Sequence, residues 1–165
     1  MILLILVETS KSNGSDVFYI KSVLDEYYSD NENIIYKWIY MNGKTKYNRY
    51  ESQIEKYKKQ NKNVKIFICF DLDSDENQDK KLNDSIFEYA RKNNYEAIWF
   101  KDDIEEVFLG KKINNNDKKQ KAYSFIVTDS IKNIDTKRLS NENKKLSKTS
   151  NIMLVLDKYL TRNKS

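Results

Sequence analysis

Histidine and proline are both absent from the 165 residues, cysteine occurs once and glycine three times. Without imidazole there is no Ser-His-Asp triad, no Cys-His dyad and none of the usual zinc sites. Acid–base work then falls to carboxylates, lysine, tyrosine or metal-bound water. The lone Cys69 has no partner for an internal disulfide and lies in an apolar run. That is the setting of a buried structural thiol, with no redox role. Long apolar stretches are missing too: the run Ile2 to Val7 is interrupted by Glu8 and has no basic flank before it. It is too short for a signal peptide or a membrane span, which predicts a cytoplasmic protein. There is no Gly- or Pro-rich linker and no internal repeat. The lack of proline goes with an abundance of Asn, Lys, Ile and Tyr, a pattern of AT-rich coding that carries little functional weight.

What is present is 39% hydrophobic, 13% aromatic and 33% charged, with a mean hydropathy of −0.83. Such a chain has room for one core under a highly charged shell, and its aromatic content sets it apart from disordered sequences. The charge is unevenly placed. Residues 1–110 hold 16 Lys and Arg against 20 Asp and Glu, a net −4, while residues 111–165 hold 14 against 5, a net +9. An acidic body with a basic C-terminal third suggests a polyanion gripped by one part and processed by another. A solvated lysine-rich surface is the plainer reading of the same numbers.

The patterning predicts strand–helix three times over, then a fourth strand. Ile2 to Val7 and Val64 to Phe70 are unbroken apolar runs of the kind buried on both faces of a parallel sheet. Ile34 to Met41 is β-branched and aromatic and ends in an Asn42-Gly43 turn, and Ala97 to Phe100 is a fourth strand. Between them, helical spacing links Val17, Ile20, Leu24 and Tyr27 after a Ser15 cap, then Tyr47, Tyr50, Ile54 and Tyr57, then Leu82, Ile86, Tyr89 and Ala90. Gly110 stops the acidic turn Asp102 to Glu106 and its apolar continuation. The expected fold is α/β: a mostly parallel four-stranded central sheet flanked by helices over residues 1–110. Residues 111–165 form a small basic helical extension packed on the same domain. Within it Lys111 to Lys121 reads as a loop, Ala122 to Val127 as a strand or short helix, Asn133 to Lys148 as polar and aperiodic, and Ile152 to Tyr159 as helical.

Glu8 and Asp71 each follow an apolar strand, and functional groups in parallel sheets collect beyond the carboxyl ends of strands. If the first and third strands are neighbours, their carboxylates converge, and Asp73, two residues on in an extended segment, leaves on the same side as Asp71. Like charges within ~4–6 Å raise one another's pKa unless a cation intervenes. Magnesium suits such a group because it prefers oxygen ligands and commonly uses one or two carboxylates plus substrate phosphate. The plainer reading makes these carboxylates helix caps and turn residues, as for Asp73-Ser-Asp75 with Asn77.

Val7-Glu8 after the first strand and Phe70-Asp71-Leu-Asp73 after the third resemble the Toprim family, the catalytic fold of topoisomerases, bacterial primases, OLD-type nucleases and small RloB-like phage-defence proteins. The resemblance spans roughly residues 1–110. It implies that Glu8, Asp71 and Asp73 bind Mg²⁺ (or Mn²⁺), and that the glutamate also serves acid–base steps of phosphodiester cleavage or joining. An acidic residue after the fourth strand occurs in OLD- and RloB-like members, and Glu105 in Ile104 to Leu109 is similar. The family's glutamate is usually followed by Gly. Here Thr9 follows and the Gly14-Ser-Asp16 turn comes later, as in a loop insertion that leaves Asp16 near the site. The implied function is a Mg-dependent nuclease acting on nucleic acid, in a setting such as phage defence or nucleic-acid maintenance, with a partner protein or ATPase as a further expectation. Lys111, Lys112, Lys118, Lys119, Lys144 and Lys145 would grip the phosphate backbone. Tyr47, Tyr50 and Tyr57 suit core packing better than base stacking.

Two rivals use the same residues. A non-catalytic Toprim-like module would bind nucleic acid or a partner protein. A haloacid-dehalogenase-type phosphatase would use Asp71 as nucleophile and Asp73 as general acid. In that family, however, the motif follows the first strand, and Glu8 would have no role.

Overall fold

The computed structural model describes residues 1–10, 14–72 and 77–163. Four strands, β1 (Ile2–Val7), β2 (Ile35–Tyr40), β3 (Val64–Leu72) and β4 (Glu96–Lys101), form one all-parallel sheet in the order β2-β1-β3-β4. The crossovers are α1 (Ser15–Tyr28), α2 (Glu51–Gln60) and α3 (Asn77–Asn93). A parallel sheet needs cover on both faces, and the period-2 alternation of these strands supplies it. Leu3, Ile5, Val7, Phe67, Cys69, Ile98 and Phe100 face one core, whereas Leu4, Leu6, Ile66, Ile68, Phe70 and Trp99 face the other. Helix α1 packs in the first core and Ile54 of α2 and Ile86 of α3 in the second.

Beyond β4 the chain forms α4 (Ile104–Leu109), α5 (Lys118–Val127), α6 (Thr136–Leu139) and α7 (Ile152–Leu156). Ala122, Phe125, Ile131, Leu139, Met153 and Leu156 join the first core, so the basic third completes the layer that α1 begins. It also closes the β4 edge. Asn151 imitates a strand there: its Oδ1 accepts from the Trp99 N–H and its Nδ2 donates to the Ala97 carbonyl, both at 2.9 Å, while Phe100 and Ser150 form an antiparallel bridge. Strand edges left unpaired invite aggregation, and this segment removes one of the two.

Several boundaries differ from the sequence reading. Gly14, not Ser15, holds the N-cap position of α1, in extended conformation. A Cβ on Gly14 would lie 1.8 Å from Thr9 Oγ1, so this close approach needs glycine. Tyr47 and Tyr50 precede α2 rather than belong to it, yet both pack against the second core, and the Tyr50 hydroxyl donates to the Tyr40 and Met41 carbonyls. The expected loop from Lys111 to Lys121 ends early because α5 starts at Lys118, and Ala122 to Val127 is helical. Helix α7 ends at Leu156, leaving Tyr159 beyond it with its hydroxyl on Glu96. Gly110 does stop α4, with φ 74°. Among the described residues no helix is long and apolar enough to cross a membrane.

Candidate functional site

The chain leaves β1 toward β2 on one side and, after α2, passes to β3 on the other. The carboxyl ends of β1 and β3 therefore flank a topological switch point, the usual place for a ligand in an open parallel sheet. Glu8 leaves β1 there, and its Oε1 accepts a hydrogen bond from the backbone N–H of Asp71 at 2.7 Å. Asp71 lies inside the ladder, opposite Phe100, because β3 runs two residues past Phe70. Its Oδ1 accepts from the Ile104 N–H at 3.1 Å and so ties the site to the first turn of α4. The loop after β2 wraps the same corner. Gly43 N–H donates to the Glu8 carbonyl at 2.7 Å, and buried Lys44 donates to the Asp71 carbonyl at 2.8 Å and to Asn83 Oδ1 at 3.2 Å. Asn42 and Gly43, both at positive φ, make that turn.

A second acidic group stands beside the first. Asp16 Oδ2 accepts from the Thr9 N–H at 3.1 Å, so the turn after Glu8 does bring Asp16 back to this edge. Burial raises its pKa above the ordinary 3.8 and Glu105 raises it further, against the hydrogen bonds that favour its charge. Glu105 is fully buried. Lys118 reaches it at 2.9 Å and Asp103 at 3.5 Å, but neither Glu105 oxygen accepts an aligned hydrogen bond. Burial opposes the charge on Lys118, yet Glu105, then Asp103 and Asp71, hold its pKa above the usual lysine range. Tyr19, stacked on Phe108, has a buried hydroxyl without a hydrogen-bond partner, pushed above the usual tyrosine range by burial and by Glu105, Asp103 and Asp16. Cys69 is buried, and its thiol pKa is raised by desolvation and then by Asp16.

Of the four expected metal ligands, the structure joins Glu8 to Asp71 directly. Glu105 is turned to Lys118, and Asp73 lies outside the described residues. Among the described residues no group of three or more acids or thiols has the spacing of a metal site. Carboxylate oxygens are the donors a hard cation takes; here Glu8 Oε1 and Asp71 Oδ1 are each engaged by a backbone N–H, of Asp71 and Ile104, and buried Glu105 is paired with Lys118.

The expected phosphate-binding lysines do not form one patch. Lys111 lines a hollow of about 370 Å³ between α4 and α5 with Phe108, Phe125 and Arg138, and Lys112 and Lys119 are exposed nearby in the chain. Lys118 is committed to the acids. Lys144 and Lys145 instead line a cleft of about 510 Å³ with Lys80, Lys101, Asn83 and Phe87. Lys44, Lys80 and Tyr19 escaped the sequence reading, whereas Lys101 stands out there only as the start of Lys101-Asp102-Asp103, which imitates the later motifs of dehalogenase-type phosphatases. Lys44 had a signal in its place just after the Asn42-Gly43 turn. Compared with models of known protein families, with curated proteins and with solved structures, the chain matches none.

Proposed function

We propose that this protein is a divalent-metal-dependent phosphodiesterase acting on nucleic acid, with Glu8 and Asp71 as its central ligands and a Toprim-like arrangement of the sheet. The observation that carries the reading is the hydrogen bond from the Asp71 N–H to Glu8 Oε1, which unites two residues 63 positions apart at the switch point. Glu8, Asp71 and, by the resemblance, Asp73 would hold Mg²⁺ or Mn²⁺, with Glu105 next to them. When bound, the ion supplies Lewis-acid stabilisation of phosphoryl oxygen and a water of lowered pKa. The chain's own groups fix the carboxylates: Lys44 on the Asp71 carbonyl and the Ile104 N–H on Asp71 Oδ1. Glu8 also has a place here, which a phosphatase built on Asp71 and Asp73 would not use.

One observation favours the non-catalytic module as the second reading. Lys118 already balances Glu105 and Asp103, so part of the acidic edge is neutralised by the chain itself. Titration with Mn²⁺, followed by cleavage assays on labelled DNA and RNA, separates the two. A nuclease binds the ion and loses both binding and cleavage in Glu8→Ala. A module that binds neither ion nor cleaves overturns the catalytic reading.

A further inference from the structure

The cleft beside α3 is defined by charge. Lys80 and Asn83 come from α3, Lys101 from the end of β4, and Lys144 and Lys145 from the segment before α7, with Leu72 and Phe87 as apolar floor. Its described lining carries three exposed ammonium groups, of Lys80, Lys144 and Lys145, with Lys101 buried behind them and one carboxylate, Asp84. Leu72 pairs with Lys101 in the ladder and is followed directly by Asp73, so the cleft opens at the same sheet edge as Glu8 and Asp71. Lys144 is exposed, but its side chain lies along the cleft wall. Its Nζ folds over the Phe87 ring, 3.4 Å from the centroid, and desolvation lowers its pKa, with Asp84 opposing. An ammonium held on a ring face gives up hydration without gaining a full counter-charge, and an anion in the cleft supplies one. The volume of about 510 Å³ lies within the range of small-ligand sites, roughly 300–1,000 Å³.

We infer that this cleft is a phosphate-binding channel that carries the backbone of a nucleic-acid strand past the acidic edge, through Lys80, Lys144 and Lys145. The inference rests on the nucleic-acid reading above and places the strand on the α3 side, not over Lys111, Lys112 and Lys119. The cations among the described lining residues are lysines, which meet phosphate as point charges, so the affinity is salt-dependent and largely indifferent to sequence.

Fluorescence anisotropy of a labelled oligothymidylate and a labelled oligouridylate tests it with the full chain, comparing wild type, Lys80→Glu/Lys144→Glu and the control Lys119→Glu/Lys121→Glu. All substituted residues are exposed, and thermal melts verify folding. The cleft variant should lose about tenfold or more in affinity, with the salt slope reduced by about 1.4 for two lost contacts to a single strand. The milder Lys80→Gln/Lys145→Gln should lose less, in the same direction. If the control weakens binding and the cleft variants do not, the channel is wrong while nucleic-acid binding stands. If a free mononucleotide competes as well as the strand at matched phosphate, the cleft takes single nucleotides and the strand path is overturned. If wild type binds neither oligonucleotide, the nucleic-acid reading falls with it.

Discussion

Glu8 Oε1 accepts from the N–H of Asp71 at 2.7 Å, so the carboxylate that leaves β1 fixes the backbone that presents the carboxylate of β3. Removing the acceptor and removing the charge are then separable. Glu8→Ala leaves the Asp71 N–H without this partner, at a cost of about 1–3 kcal/mol. Glu8→Gln keeps a carbonyl oxygen in place and should unfold in urea nearly as wild type does, while losing Mn²⁺ binding as completely as Glu8→Ala. Wild-type Mn²⁺ affinity in Glu8→Gln would remove Glu8 from the ligand set.

Lys118 compensates a glutamate that is only 1% exposed. Lys118→Met strands that charge, and breaking a buried pair costs about 3–5 kcal/mol. The 27% exposure of Lys118 brings the expected loss to the low end of that range. Adding Glu105→Gln should recover most of the loss in denaturant titrations. A double variant as unstable as the single one shows that Lys118 contributes through packing, not charge.

The raised pKa of Asp16 has a definite sign in stability. Between its ordinary value of 3.8 and its folded value, the folded chain keeps a proton that the unfolded chain releases, so stability falls as pH rises through that window. Asp16→Asn keeps an oxygen for the Thr9 N–H and removes the charge. Its melting temperature should exceed wild type at pH 7, by about 2–4 °C for each kcal/mol of relief. The gain should shrink toward acid and vanish below the ordinary aspartate range. A variant less stable at pH 7 than at acid, relative to wild type, contradicts the assignment.

Asn151 serves β4 as a substitute strand. Asn151→Ala abandons the Trp99 N–H and the Ala97 carbonyl together and should cost about 1–3 kcal/mol. Asn151→Asp, which accepts but cannot donate, should fall between. Unchanged denaturation midpoints would show that water replaces both bonds.

The strands were legible because burial on both faces turns each into an apolar run, visible without knowledge of the fold. The carboxylates of Glu8 and Asp71 were legible for the same reason, as charges interrupting those runs. Asp71 as a ladder residue was not, since only the pairing of Asp71 with Phe100 and of Leu72 with Lys101 extends β3 past the apolar stretch. The role of Lys118 was hidden in another way. In an Asn- and Lys-rich stretch it resembles every other lysine, and its partners Asp103 and Glu105 reach it only through the packing of α4 and α5. Tyr19 carried a helical-core signal that says nothing of where its hydroxyl ends. Lys80 and Lys144 are separated by 64 positions and meet only because the segment before α7 folds back along β4 toward α3.

β1 and β3 are the two inner strands of the sheet, each with a neighbour on both sides. The seat formed by Glu8 and Asp71 is thus set in the part of the molecule whose amide hydrogens exchange only when the whole chain opens. On the reading proposed above, a cation or phosphate would find these two strands already in place and lose little affinity to ordering them. Deuterium uptake along β1 and β3 should accordingly be slow already without ligand, and slow further with it by the binding free energy added to global stability.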